Sequence, residues 1–158
     1  MTLHRNAERV QQALRDAGSD AEVRELPDSA HTSQEAAAAL GVRVDQIAKS
    51  LVFVADGQPV LIVLRGSDRL DPNRLAAHVG ADRVTRADAD TVRQATGFPI
   101  GGVSPVSHRP GLRVVIDRGL SAYPVVWAAA GTPNAVFPTT FEELIAVAGG
   151  EAGDVRQQ

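Results

Sequence analysis

The residue that stands out chemically is Lys49, because it is the single lysine in a chain of 158 residues whose other Lys+Arg positions are all arginine. A genome rich in arginine codons explains the arginines but not the exception. An ammonium is a compact charge that is not interchangeable with a guanidinium fork, so Lys49 is a candidate for chemistry. A lysine at the start of an apolar strand can also simply extend its amine to solvent, and that interpretation stays open.

The second candidate is an irregular segment in which glycine and proline exclude regular structure, Gly101-Gly102-Val103-Ser104-Pro105. Adjacent glycines let a backbone approach a ligand closely and direct amide N–H groups at a carbonyl or an oxyanion. The same residues can also form a tight turn without any function. The sequence therefore permits both interpretations.

Most familiar catalytic patterns are missing from the sequence. The chain has no HExxH, P-loop, GxSxG or GxGxxG motif. Its four histidines have no metal-ligand spacing: His4, His31, His78 and His108. The sequence implies no metal and no organic cofactor, and we interpret these histidines as solvated or packed residues.

Composition limits the class of protein. The absence of cysteine excludes disulfides, thiolate zinc sites and thiol nucleophiles. A formal charge of −3 argues against wrapping a long nucleic acid but permits contact with one end of an RNA. The sequence shows no signal-type apolar region and no apolar run near the roughly 20 residues of a membrane span. We expect a cytoplasmic protein without membrane association.

Local signals predict short helices mixed with hairpin-linked strands, without the regular strand–helix alternation of a doubly wound sheet. Helical periodicity, capping residues and stop glycines predict five helices, ending at Gly18, Gly41, Gly80, Gly97 and Gly149. Apolar β-prone runs predict strands at 21–26, 47–54, 59–64, around 84, 113–117, 124–129 and 134–137. Asp56-Gly57 is a hairpin signal, so the strands on either side of it should pair antiparallel. The pattern indicates an α+β fold, with one domain over 1–150 and a loosely held tail over 151–158.

Three segments resemble, in order, the signature segments of the YbaK and ProX family of aminoacyl-tRNA editing domains, which includes domains associated with prolyl-tRNA synthetase. They are Ile47–Phe53, the stretch from Thr96 to Pro105, and Ala130–Phe137. Each is weak alone, and together they span most of the chain. The resemblance implies a mixed, largely antiparallel, partly barrelled sheet flanked by helices, with a pocket between the lysine strand and the glycine loop.

The resemblance also implies a function. We expect a trans-acting deacylase that hydrolyses the ester of mischarged tRNA carrying a small amino acid such as Cys, Ser, Thr or Ala, tRNA-Pro being one candidate tRNA. Its partner would be the acceptor end of that tRNA, and a synthetase or an elongation factor could supply further affinity. The alternative is a non-catalytic module of the same fold that binds an aminoacyl or nucleotide-like ligand.

Residue roles carry over position by position. Lys49 corresponds to the essential lysine of the family. The remaining positions are expected to bind substrate: Ser50, Gly101, Gly102, Val103, Ser104, Pro105, Gly131 and Asn134. The position after the lysine is Thr in the cysteinyl-specific type and Asn in the alanyl-specific type, so Ser50 transfers neither specificity. Pocket volume around Leu26, Ser50 and Ala129 should decide, since one methyl or hydroxyl group changes discrimination by only about 1–3 kcal/mol.

Overall fold

The computed structural model describes residues 3–106 and 108–158. The described helices are α1 (Arg5–Asp16), α2 (Ser33–Leu40), α3 (Pro72–Val79), α4 (Ala89–Thr96) and α5 (Phe141–Ala148). The described strands are β1 (Arg24–Glu25), β2 (Ile47–Ala55), β3 (Gln58–Arg65), β4 (Val84–Arg86), β5 (Arg113–Asp117), β6 (Val126–Ala129), β7 (Ala135–Thr139) and β8 (Glu151–Gly153). Within these residues, every helix is too short or too polar to cross a membrane.

The helix ends follow the local sequence signals. At the start of α2, the Thr32 hydroxyl accepts a hydrogen bond from Glu35 N, and the Glu35 carboxylate accepts one from Thr32 N, both at 3.1 Å. This reciprocal pair satisfies two amides that a helix start otherwise leaves unpaired. Helices α2 to α5 each end at a glycine in the left-handed region, where a side chain would be strained.

The strands form one mixed sheet in the order β1-β7-β6-β2-β3-β5-β8, with β4 also paired to β2. The predicted hairpin is confirmed, because β2 and β3 pair antiparallel from Ala48↔Arg65 to Ala55↔Gln58. Antiparallel pairs predominate, while β2–β6, β3–β5 and β5–β8 are parallel. The expected α+β class and largely antiparallel sheet are confirmed, and in the described residues the sheet follows an open path.

The sheet is covered on both faces, as the alternation of side chains along β3 shows. Leu61 and Val63 pack in a cluster with α1, α5 and the loop that follows α4. Ile62 and Leu64 pack in a second cluster with α3. Helix α2 forms a third cluster with residues of β2 and β7. The loop after α4 and helix α2 therefore approach β2 from different sides.

The first predicted strand is much shorter than expected. Only Arg24–Glu25 pairs in the sheet, with β7. Ahead of it, the Gln11 side chain of α1 donates to Ala21 O (3.0 Å) and accepts from Val23 N (2.7 Å). A helix side chain, rather than a neighbouring strand, therefore satisfies the backbone of this segment.

The expectation that residues 151–158 are loosely held is wrong. Strand β8 pairs in parallel with β5, and Val155 is completely buried. The two oxygens of the Asp117 carboxylate accept from Val155 N at 2.8 Å and from Arg156 Nη1 at 2.9 Å. The polar composition of this segment concealed its attachment, because the group that binds it lies far away in the sequence.

Candidate functional site

The site is built around an interruption in the pairing of β2. One edge of β2 pairs with β3 throughout, whereas the other pairs with β6 only at Ile47–Ala48 and with β4 only at Phe53–Ala55. Along residues 49–52, that edge has no strand beside it among the described residues. A cavity of about 330 Å³ opens at this gap, bordered by β2, the start of α2, β6 and the loop after α4.

The gap exposes backbone groups of Ser50 to the cavity. Gly66 N donates to Ile47 O at 2.7 Å, so the backbone groups of Ile47 point toward β3. Successive residues of an antiparallel strand point their N–H and C=O groups to opposite edges, so those of Ser50 and Val52 point toward the gap. Val52 O accordingly accepts from Ala87 N (3.3 Å), beside β4. Ser50 therefore presents one amide donor and one carbonyl acceptor to a ligand.

The Ser50 side chain is also unusual. Its Oγ is buried and has no hydrogen-bond partner among the described residues. A buried hydroxyl without a partner costs free energy, about 1–3 kcal/mol, and such groups require an explanation. A bound ligand that forms a hydrogen bond with the Ser50 hydroxyl is one such explanation.

Lys49 lies at the same gap with its ammonium directed to the other face of the sheet from the Ser50 side chain. Its Nζ donates to Gly66 O at 3.2 Å and to Asp68 O. The Asp68 carboxylate is occupied by Arg65, at 2.7 Å from Nε and 3.2 Å from Nη2. Lys49 is therefore held by backbone carbonyls, which leave its positive charge unneutralised by direct contact.

The charges around Lys49 act in opposite directions on its pKa. Burial lowers the pKa of the Lys49 ammonium, the nearby Asp68 raises it, and Arg69 and Arg86 lower it further. The net direction is downward. Arg86 also lines the cavity, so the region has a locally positive character that suits a phosphate or a developing negative charge.

The glycine loop contributes only part of its length to the cavity. Gly101 and Val103 line it. Gly102 instead packs on the turn before β7, since a Cβ there would lie 3.0 Å from the Thr132 backbone. Ser104 is buried and its Oγ accepts from Val106 N at 3.1 Å, and Pro105 is buried beside it. Gly102, Ser104 and Pro105 thus hold the loop in place behind the two residues that line the cavity.

Gly131 and Asn134 likewise contact neighbouring elements of the fold and do not line the cavity. Gly131 has φ +91° and its backbone lies against Asn6, whose Nδ2 donates to Gly131 O at 3.2 Å. Asn134 Nδ2 donates to Leu26 O at 2.8 Å and to Asp28 Oδ1 at 3.3 Å. The cavity itself is lined by their neighbours Pro133 and Ala135. Ala129 also lines it, whereas Leu26 packs in the cluster around α2.

Several cavity residues were not singled out as site residues from the sequence. They are His31, Thr32, Ser33, Arg86, Ile100 and Trp127. Trp127 is the only tryptophan and stacks under the Arg24 guanidinium at 5.8 Å. Ile100 is 62% exposed, which is unusual for so large an apolar side chain. Both features depend on the fold, so the sequence offered no sign of them beyond the presence of a single tryptophan.

Comparisons with known proteins identify a matching family, a similar crystal structure and similar ligases. A family model described as "aminoacyl-tRNA editing domain" matches residues 27–147. The chain is 43% identical, with a TM-score of 0.93, to a crystal structure of a candidate trans-editing enzyme for prolyl-tRNA synthetase, over 99% of this chain and 100% of that one. It is 41% identical over 91 residues to the proline–tRNA ligase of Nitratidesulfovibrio vulgaris (strain DP4).

The proline–tRNA ligases are much longer proteins. The match to the Nitratidesulfovibrio enzyme covers 58% of this chain and 16% of the ligase. The ligase of Streptococcus equi subsp. equi (strain 4047) is 31% identical over 134 residues, covering 79% of this chain and 22% of the ligase. The shared region is thus one part of each ligase. With the family model matched over most of its length, the chain belongs to the aminoacyl-tRNA editing domain family.

Proposed function

We propose that the protein is a trans-acting aminoacyl-tRNA deacylase, which hydrolyses the ester between a wrongly attached amino acid and the terminal ribose of tRNA. The observation that carries this proposal is the gap in β2, where one cavity is bordered by Lys49, the backbone of Ser50 and the loop at Gly101. Membership of the editing family supports the reaction class.

The chemistry follows from an already activated bond. An aminoacyl ester needs orientation, a water molecule and stabilisation of the oxyanion that forms when water adds to its carbonyl carbon. Ser50 N–H and the loop backbone would orient the aminoacyl group, and Lys49 would hold a phosphate or the terminal ribose and favour the developing charge. The C–O ester bond then breaks, releasing the free amino acid and a tRNA with its ribose hydroxyl restored.

The cavity favours a small aminoacyl group. A volume of about 330 Å³ lies at the lower end of ordinary ligand sites, which span roughly 300–1,000 Å³. We infer that Cys, Ser, Thr or Ala is removed, and that tRNA-Pro is the leading candidate tRNA because the proline–tRNA ligases share this domain.

The tRNA partner and its location are part of the proposal. Contact would be confined to the acceptor end, consistent with a net charge of −3 and a few cations near the cavity. We infer that a synthetase or elongation factor supplies additional affinity, in the cytoplasm where translation takes place. An unchanged deacylation rate when prolyl-tRNA synthetase is added would argue against that role for the synthetase.

The first experiment is hydrolysis of tRNAs charged with Ala, Cys, Ser, Thr and Pro by the intact protein, by Lys49→Ala and by Lys49→Arg. Arg93→Ala is the matched control, since it removes a cation from the exposed Arg93–Asp90 pair on α4. We expect release of one or two amino acids that is lost in Lys49→Ala and kept in the control, with circular dichroism confirming folding. Absence of release from every tRNA, together with retained tRNA binding, would instead favour the binding module.

A further inference from the structure

Residues 155–157 run alongside the loop that follows β3. Asp71 N donates to Val155 O at 2.8 Å, and Gln157 N donates to Arg69 O at 2.7 Å. An antiparallel bridge joins the two segments between these bonds. The loop is therefore paired with residues 155–157 in the way that two short antiparallel strands are paired.

The same loop holds Lys49. Its ammonium donates to Gly66 O and Asp68 O, and the peptide that contains the second carbonyl leads directly into Arg69. The direction of the Lys49 side chain thus depends on where residues 66–69 lie. A shift of this loop would move both acceptors of the ammonium together.

A buried carboxylate connects the two segments. Asp117 has no exposed surface, and it accepts hydrogen bonds from Gly119 N, Val155 N and Arg156 Nη1 at 2.8, 2.8 and 2.9 Å. Gly119 in turn lies against the ion pair that shapes the loop, since a Cβ there would be 3.0 Å from Arg65 Nε and 3.3 Å from the Asp68 carboxylate. The Asp117 side chain therefore binds residues 155–156 directly and supports the loop at residues 66–69 through Gly119.

We propose that Asp117 and Arg156 are positioning residues for Lys49, acting through the loop at 66–71. This proposal rests on the proposed function for its catalytic consequence. Neither residue borders the cavity, so both act through Lys49 rather than on substrate. Displacing residues 155–157 releases the loop at 66–71. The Lys49 ammonium then moves more freely and contacts water.

The test uses the fact that Lys49 is the only lysine. Incorporation of ¹⁵N-lysine gives a single side-chain nitrogen signal, and its titration reports the Lys49 pKa without any substrate. Arg156→Ala should move that pKa upward toward the ordinary lysine value. Arg156→Gln, which keeps a side-chain N–H donor for Asp117 and adds no second lysine, should shift it less. Arg118→Ala is the matched control, because it removes the exposed 2.7 Å pair with Asp154 and leaves the Arg156–Asp117 pair in place. Arg156 Nη1 also lies 3.5 Å from Asp154 Oδ1, so the control shows what a loss of charge beside Asp154 does without a change at Asp117.

Activity provides the second measurement. We expect kcat/KM in Arg156→Ala to fall about ten- to a hundredfold, because a small misplacement of a catalytic group costs that much. Gln157→Pro removes the N–H donor to Arg69 O and the side-chain donor to Leu70 O, leaves the Asp117 partners in place and changes no charge. It therefore serves if Arg156→Ala does not fold. It should shift the Lys49 signal in the same direction.

An unchanged Lys49 titration in a folded variant that has lost stability would overturn the proposal, since a purely structural segment gives that result. The two proposals fail separately. If the unaltered protein releases no amino acid, the deacylase function fails, while the Lys49 titration still decides whether Arg156 positions the lysine.

Discussion

Two glycines with nearly the same positive φ should respond differently to alanine. Gly131 has φ +91° and Gly101 has φ +88°, so alanine at either position is strained by about 1–2 kcal/mol. The surroundings differ. An ideal Cβ at Gly131 would lie 2.9 Å from Asn6 Cβ and 3.0 Å from Asn6 O, whereas at Gly101 it meets no described atom within 4 Å.

The added contact sets the expected difference. Forcing extra volume against a packed backbone costs about 1–3 kcal/mol, so Gly131→Ala should lose about 2–5 kcal/mol and Gly101→Ala only about 1–2 kcal/mol. Urea unfolding of both variants gives the comparison directly, provided that the slope m is unchanged. Equal losses would refute the reasoning, because they would mean that Asn6 and helix α1 yield to the new methyl group without cost.

Two further predictions concern Lys49 and Asn134. Because burial lowers the pKa of Lys49, the unfolded chain binds this proton more tightly, and the free energy of unfolding should rise with pH toward lysine's ordinary pKa of about 10.4. The rise in urea midpoint between about pH 8 and 10 should be smaller in Lys49→Met, and identical slopes would contradict this. Asn134→Ala should cost about 1 kcal/mol of stability through the lost 2.8 Å bond to Leu26 O, while kcat/KM of the folded fraction falls less than in Lys49→Ala.

Elements decided by neighbouring residues were predictable from the sequence. The Thr32–Glu35 capping box and the turn at Asp56-Gly57 depend on bonds within a few positions, so their patterns identify them. The same holds for β5, whose bounds match the apolar run 113–117. These local elements indicated an α+β fold before any pairing was known.

Features that depend on distant residues were not predictable. Strand β8, a parallel partner of β5, consists only of Glu-Ala-Gly and carries no apolar β-prone run. The residues after it are held by Asp117, which lies 38 positions before Val155. The role of Gly102 as a packing residue follows only from its closeness to Thr132. His31 and Trp127 reach the cavity because α2 and β6 converge on β2, a matter of topology rather than of pattern.

The gap in β2 implies that different residues would determine which amino acid is removed and how fast it is removed. An exposed strand edge invites pairing with other chains, but here only residues 49–52 are open and strands pair on both sides of them. Backbone groups at this short edge can bind the part of an aminoacyl ester that all amino acids share. The cavity wall formed by Ser50 and Ala129 would then select the side chain of the aminoacyl group. Lys49 would act on every substrate alike. Wall substitutions should therefore change which amino acid is removed, and changes at Lys49 or its supporting loop should slow removal of all of them.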